Sequence, residues 1–273
     1  MSAFDPTALA QELAAAYAAH QPIAVPPSAR DTGFGLADGY AVEAEFVRLK
    51  RMSGRTTVGR KIGYANKAMW RVLKLETLVW AHMYDDTVRY ASSGDASLSI
   101  ARMYSPKIEP EIVFKLKRPL ASDDVEPAAV LDAVEWLALG FEVIDCVYAG
   151  WSYQPADFIA SFGLHAALIV GEPRRVEPAM ISTLVDGLAR FTVRLMKNGE
   201  LVEEGSGKNV LRSPARCLGE LAAAIVRQPA AEPLAAGELI SSGTLTTSTP
   251  IAAGDTWRAV VDGIDLSALT LRV

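Results

Sequence analysis

Ile108-Glu109-Pro110-Glu111-Ile112-Val113-Phe114-Lys115-Leu116 sets two carboxylates in an otherwise apolar run. Its β-branched and aromatic residues predict a strand over Glu111 to Leu116. Side chains alternate faces along a strand, so Glu109 and Glu111 point the same way and can converge on one point. A third acid, Glu142, interrupts a second apolar run, Leu137 to Ile144, where a purely structural choice would be another apolar residue. Carboxylates are rarely buried unless they are paired or hold a cation. Three acids with no nearby His or Cys favour a hard ion, Mg²⁺ or Mn²⁺, over Zn²⁺. The bland alternative for Glu-x-Glu is the solvated face of an antiparallel sheet. Glu142 weakens that reading. Pro110 cannot donate to a sheet ladder, so an edge or a bulge is expected there.

Working outward, Pro127 to Ala138 reads as a helix and Phe141 to Tyr148 as a strand. Upstream, Val58 to Gly63 is a short strand flanked by glycines, and Val79 to Val88 is an apolar stretch broken by Asp85-Asp86. Asn198-Gly199 between Thr192–Met196 and Leu201–Glu203 is a hairpin signal, because both residues tolerate positive φ. Pro214 to Val226 follows with helical spacing of Leu218, Leu221 and Ile225, and strands are expected at Glu238–Ser241, Asp255–Val261 and Leu269–Val273. At the other end, Asp5-Pro6 caps a helix carrying Leu9, Leu13 and Tyr17, and Asp38 is expected to cap a second carrying Val42, Phe46 and Leu49. The pattern is α+β with mixed or antiparallel sheets rather than a βαβ repeat. It divides into an N-terminal helical region, 1–57, and a β-rich catalytic domain, 58–273.

The 273 residues, half of them hydrophobic, suffice for a large core. A net charge of −5 without a basic aromatic patch argues against nucleic acid. No leader-like or membrane-spanning run is present, and the two cysteines, Cys146 and Cys217, sit in apolar contexts that suit a reducing cytoplasm.

Lys61 lies between Gly59 and Gly63, where missing side chains let a ligand approach. Its plain reading is an exposed strand lysine; beside a bound anion it could move a proton. Asp85 and Asp86 are either a solvated turn or a polar pocket wall. His20, His82 and His165 are too scattered for a zinc site, and His165 reads as a satisfied core histidine. Ser242-Gly243-Thr244-Leu245-Thr246 offers hydroxyl and backbone donors for a carboxylate. No nucleophile elbow or phosphate loop occurs.

In order, Gly59-Arg60-Lys61-Ile62-Gly63, Tyr84-Asp85-Asp86-Thr87-Val88, Ile108-Glu109-Pro110-Glu111-Ile112, Glu142-Val143-Ile144-Asp145 and the tail from Ala236 to Thr246 resemble the fumarylacetoacetate hydrolase superfamily. They look most like its branch of 2-hydroxypenta-2,4-dienoate hydratases and 4-oxalocrotonate decarboxylases. The resemblance implies a mainly antiparallel β-roll with peripheral helices and Mg²⁺ or Mn²⁺ on Glu109, Glu111 and Glu142. It also implies proton transfer by Lys61 with Asp85 nearby, and substrate contacts from Ile62, Gly63, His165, Ser242, Thr244 and Thr246. The implied substrate is a small 2-oxo or 2-hydroxy unsaturated acid, and the implied assembly a homo-oligomer, with a related decarboxylase or hydratase subunit as a candidate partner. This chain departs from the pattern at Tyr64-Ala65-Asn66, which loses a hydroxyl, and at Asp145-Cys146-Val147, which loses a cation; His165 is a replacement pocket residue. Acylpyruvate hydrolysis would need a His/Glu pair, and neither His20 nor His82 has an obvious partner. A non-catalytic partner subunit is the third reading, and it predicts indifference to metal.

Overall fold

The computed structural model describes residues 4–120, 126–228 and 231–273. Its larger sheet runs in the order β2 (Val79–Tyr84), β1 (Thr57–Gly63), β11 (Leu239–Ser241), β5 (Lys107–Leu116), β6 (Val134–Ile144), β7 (His165–Val170) and β3 (Val88–Tyr90). Two short strands flank this path: β12 (Thr249–Pro250) pairs with β5 and β8 (Arg174–Arg175) with β6. The two ends of the path, β2 and β3, are consecutive in the chain, joined by a turn in which Thr87 N–H donates to Tyr84 O at 3.0 Å. A sheet whose outermost strands are tied by so short a turn must curl on itself, which makes it a roll. A second sheet, in the order β10 (Glu200–Ser206), β9 (Thr192–Lys197), β13 (Thr256–Asp262), β14 (Leu269–Arg272) and β4 (Asp95–Ser97), packs beside it.

The helices are α1 (Pro6–Ala19), α2 (Pro27–Arg30), α3 (Leu36–Met52), α4 (Lys67–Leu73), α5 (Pro127–Asp132), α6 (Pro155–Ala160), α7 (Ile181–Arg190) and α8 (Pro214–Val226). Asp5 caps α1 as expected, accepting from Thr7 N and Ala8 N. Asp38 is not the cap of α3: it lies one turn inside, and its carboxylate accepts from Gly35 N–H. Leu9 and Leu13 of α1 and Val42 and Phe46 of α3 join the same hydrophobic core as Ile112, Phe114 and Phe141 of the sheet.

Other differences from the sequence reading have local causes. The helix expected over Pro127–Ala138 stops at Asp132, and Val134 already belongs to β6. Val130 and Leu131 at the end of α5 are buried and apolar like the residues of β6 that follow, so periodicity alone does not mark where the helix gives way to the strand. Pro110 makes no bulge. Its pairing with Phe141 is regular, and the irregularity in the β5 and β6 ladder falls at Lys115 and Leu116. Leu245 N–H donates to Pro110 O at 2.9 Å, so the proline's nitrogen also faces the loop between β11 and β12, where no strand demands an N–H.

The register decides what shares a face. Glu109 stands opposite Glu142, Glu111 opposite Gly140, and Val113 opposite Ala138. Ser241 pairs with Val113 on one side and Lys61 on the other. Directly opposed residues point to one face, so Lys61, Ser241, Glu109, Glu111 and Glu142 project together. The same face carries the small cluster of Met83, Val113, Ala138, Leu168 and Val170. The reverse face presents Ile62, Ile112, Phe114, Leu139 and Phe141 to the main core.

Candidate metal centre

Glu109, Glu111 and Glu142 each offer a carboxylate oxygen, and these oxygens lie within 4.8 Å of one another. Glu111 and Glu142 are fully buried and Glu109 is half-buried. Each buried acid is held from one side. Ser241 Oγ (2.6 Å) and Gly243 N–H (2.8 Å) both donate to Glu111 Oε2. His165 Nδ1 donates to Glu142 Oε1 at 2.8 Å, while its Nε2 meets Thr87 Oγ1 at 2.9 Å. Lys61, only 2 % exposed, donates to Gly163 O at 2.9 Å and sets its ammonium 3.1 Å from Glu142 Oε2. The approach to that oxygen is off the hydrogen-bonding direction, so Glu142 Oε2, like Glu111 Oε1, is buried without a hydrogen-bond partner. Two buried carboxylate oxygens left over beside a third acid are what a divalent cation's oxygen ligand set requires. The residues present therefore fit such an ion.

The electrostatics agree. Burial raises the Glu109 carboxyl to about 7, with Glu142's charge adding to the effect and Lys61 and Lys107 opposing it. Glu111 is pushed well above its ordinary range by burial, then by Glu142 and Glu109. Burial also works against the ionised form of Glu142, but Lys61 and His165 outweigh it and hold its carboxyl below the usual value. The protein's own cations stabilise one ionised acid of the three; the remaining negative charge calls for a counter-ion.

Lys61 is thus not the exposed strand lysine of the plain reading. Its stem runs past Gly163, where an added Cβ would lie 2.7 Å from Lys61 Cδ, and its ammonium sits 4.9 Å from the centroid of the Phe158 ring. Gly63 leaves room for that ring, since a Cβ there would come within 2.5 Å of it. Tyr64, in the left-handed region at φ 57°, lays its ring against Phe158 at 5.2 Å, and Asn66 caps α4.

Not every expected site residue comes to this place. Ile62 points to the reverse face and belongs to the core, because it neighbours Lys61 in a strand. Asp85 is exposed, accepts from Thr56 N at 3.3 Å and lines a separate hollow with Thr57 and Arg60. His165 does not reach into a pocket with a free nitrogen; both its nitrogens are engaged, which makes it a support for Glu142. Ser242 N–H donates to Ile112 O and its hydroxyl is buried without a partner, whereas Thr244 and Thr246 turn their hydroxyls onto carbonyls of their own loop. Asp145 accepts from the N–H groups of Tyr104 and Ser105, both at 2.8 Å, and so fixes a loop. Val147 is fully buried.

Sequence reasoning missed Ser241, Gly163 and Thr87. It did place Gly243 among backbone donors for a carboxylate, and the Gly243 N–H donates to Glu111. A serine directly before Ser242-Gly243 was the available signal for Ser241; Gly163 and Thr87 depend on which segments the roll brings together. It also missed a partner for His82. Glu43 Oε1 accepts from His82 N at 2.9 Å and lies 2.6 Å from His82 Nδ1. His82 stands opposite Arg60 in register, so this pair is on the reverse face from Lys61 and the three acids.

A model of the fumarylacetoacetate (FAA) hydrolase C-terminal family matches residues 76–273. The chain belongs to that family. Among relatives of this family member, 2-hydroxyhexa-2,4-dienoate hydratase of Comamonas testosteroni is 30% identical over 84% of this chain and 83% of its own length. The 4-oxalocrotonate decarboxylase of Pseudomonas sp. strain CF600 is 31% identical over 81% of this chain and 79% of its own. A solved 4-oxalocrotonate decarboxylase from Pseudomonas putida G7, complexed with magnesium and adipate, superimposes with a TM-score of 0.86 at 27% identity, covering 98% of this chain and 96% of that one. The β-roll expected from the resemblance is borne out by these matches and by the sheet order.

Proposed function

We propose that the protein is a divalent-metal-dependent lyase, a hydratase that converts a 2-hydroxy-2,4-dienoate or its 2-oxo-4-enoate tautomer to a 4-hydroxy-2-oxo acid in the breakdown of aromatic or related compounds. One observation carries the reading: three converging acids, two with buried oxygens that accept no hydrogen bond, lie beside a buried lysine ion-paired to one of them. Relatives named as hydratases and decarboxylases, and the magnesium in one solved neighbour, support it. Mg²⁺ or Mn²⁺ held by Glu109, Glu111 and Glu142 would polarise the carboxylate and keto oxygens of a 2-oxo acid and stabilise negative charge developing between them.

The chain's own residues do the rest. Lys61 has three N–H groups; Gly163 O takes one and Glu142 lies beside the ammonium, so a donor remains for the substrate carbon that gains or loses a proton. Phe158 and Tyr64 form an aromatic wall beside Lys61 that keeps water from it. Ser241 Oγ and the Gly243 N–H both hold Glu111 in place. His165 and Thr87 fix the orientation of Glu142.

Decarboxylation of a 4-oxalocrotonate-like diacid is the second reading, since it places the same negative charge on the same atoms and a decarboxylase matches nearly the whole chain. Hydrolysis finds less support: the Glu43 and His82 pair lies across the sheet from the acids. The reading includes a cytoplasmic homo-oligomer, with a related decarboxylase or hydratase subunit as its candidate partner. Both cysteines are free and buried, as suits a reducing compartment, and among the described residues no helix is long and apolar enough to cross a membrane.

The test is turnover of 2-hydroxypenta-2,4-dienoate and 2-oxohex-3-enedioate, with product analysis, in Mg²⁺ or Mn²⁺ and after chelation, for wild type and Glu109→Ala. Metal-dependent formation of a 4-hydroxy-2-oxo acid, lost in the variant, is expected. Release of CO₂ instead moves the assignment to decarboxylase, and inactivity with indifference to metal refutes both.

A further inference from the structure

Helices α1 and α3 do not close flush on the roll. Between them, the turn joining β2 to β3 and residues 99–104 lies a cavity of about 860 Å³, inside the roughly 300–1,000 Å³ typical of small-molecule sites. None of Glu109, Glu111, Glu142 and Lys61 lines it. Its wall toward the acid centre is the segment 162–165. Phe162 and His165 line the cavity, whereas Gly163 O accepts from Lys61 at 2.9 Å and His165 Nδ1 donates to Glu142 at 2.8 Å. The cavity and the acid centre are neighbours with one layer of chain between them.

That layer is strained. Phe162, Gly163 and Leu164 stand in succession at φ 58°, 60° and 58°, and two of the three carry a Cβ that the left-handed region penalises. Such a conformation persists only where its surroundings over-determine it. Here it turns the Phe162 ring toward the helices, with its centroid 4.1 Å from that of Phe46, 5.4 Å from Tyr17 and 6.0 Å from Tyr84. On the α1 side the lining residues Ala14 and Ala18 are small, which keeps the space open.

The body of the cavity is therefore aromatic and apolar, and its charges lie at the exposed rim. Both acids of the lining are already held: Asp145 accepts from the N–H groups of Tyr104 and Ser105, and Asp86 is shared by Lys50 at 3.6 Å and Arg55 at 3.3 Å. Lys50 also stands 5.2 Å and 5.7 Å from the ring centroids of Tyr84 and Phe162. Arg102 has no carboxylate partner among the described residues; it donates to Ala18 O at 3.2 Å, and the rest of its guanidinium fork is unused. An apolar hollow with an unanswered guanidinium at its rim suits a body of rings or methylenes that ends in one anionic group.

We propose that the cavity between α1, α3 and segment 162–165 is a second ligand site, separate from the acid centre, that takes an amphipathic monocarboxylic acid, its apolar body against Phe162 and its carboxylate at Arg102. The site stands whether or not the three acids carry lyase chemistry.

Octanoate, octanamide and acetate are titrated calorimetrically into the full chain in excess magnesium, for wild type, Ala14→Trp, Arg102→Gln and Glu109→Ala. Wild type is expected to bind one octanoate per chain. Acetate, which keeps the head alone, binds about a hundredfold more weakly or worse, because six methylenes are lost. Octanamide, which keeps the body and loses the charge, binds about fivefold more weakly, the scale of one exposed ion pair. Ala14→Trp fills the space and weakens octanoate by about tenfold or more, Arg102→Gln brings acid and amide close to equal, and Glu109→Ala or an excess of 2-oxobutyrate leaves octanoate binding unchanged. Absence of saturable octanoate binding, or unchanged binding in a folded Ala14→Trp, overturns the site. Acid and amide bound alike by wild type, or a preference that Arg102→Gln leaves intact, overturns the ligand class and the role of Arg102. Displacement by 2-oxobutyrate, or loss in Glu109→Ala, overturns the separation and gives the cavity to the acid centre.

Discussion

Glu109 gives the most direct test of the idea that the acid centre is built for a cation it cannot replace. Its carboxyl is raised from the ordinary 4.5 to about 7, first by burial and then by Glu142. An acid whose folded value lies above its unfolded value binds more protons when folded, so the metal-free protein loses stability as pH rises between those values. Below about pH 4.5 the penalty is absent; above pH 7 it is fully present, and the gap corresponds to roughly 3 kcal/mol. Between about pH 5.5 and about pH 8, roughly 2 kcal/mol of it develops. Glu109→Gln preserves the shape and removes the ionisation. In urea unfolding of chelated protein, wild type should therefore lose about 2 kcal/mol more than Glu109→Gln between those two pH values, a difference in which the groups that do not sense the Glu109 charge cancel. Adding Mg²⁺ should recover the loss in wild type and leave the variant nearly unmoved. Identical pH dependence of the two proteins would refute the reasoning, because it would mean that Glu109 ionises in the fold as freely as in the unfolded chain.

Two further perturbations probe the scaffold. His165→Leu removes the donor that orients Glu142 and should weaken Mn²⁺ binding by about tenfold to a hundredfold in a calorimetric titration, with the far-ultraviolet circular dichroism spectrum retained. Gly59→Ala would place a Cβ 1.8 Å from Leu239 O in the parallel pairing of β1 with β11; backbone cannot yield as a side chain can, so a loss of about 3 kcal/mol or more is expected in the urea midpoint.

The amino-acid sequence by itself determined the elements with strong local chemistry. Asp5-Pro6 starts α1, Asn198-Gly199 turns β9 into β10, and Pro214 opens α8, each because a cap, a positive φ or a missing N–H is decided by one or two residues. It likewise determined that Glu109 and Glu111 share a face, since alternation is a property of any strand. The junction of α5 and β6 was less legible: Val130, Leu131, Ala133, Val134 and Trp136 suit either element, and the two acids among them, Asp132 and Glu135, fit a helix spacing as well as a strand. What only the tertiary structure decided is what meets across the roll. The register of β5 with β6 sets Glu142 opposite Glu109, and the curl brings Thr87 and His165 behind it. The parallel pairing of β1 with β11 places Lys61 and Ser241 on the same face as the acids, while Asp85, one turn from Thr87, is left in solvent. These residues are far apart in the chain, and a shift of one position in any ladder would send a side chain to the other face. The site's acids were readable because burial of charge is costly wherever it occurs; their supports were not, because hydrogen-bond partners are chosen by the fold.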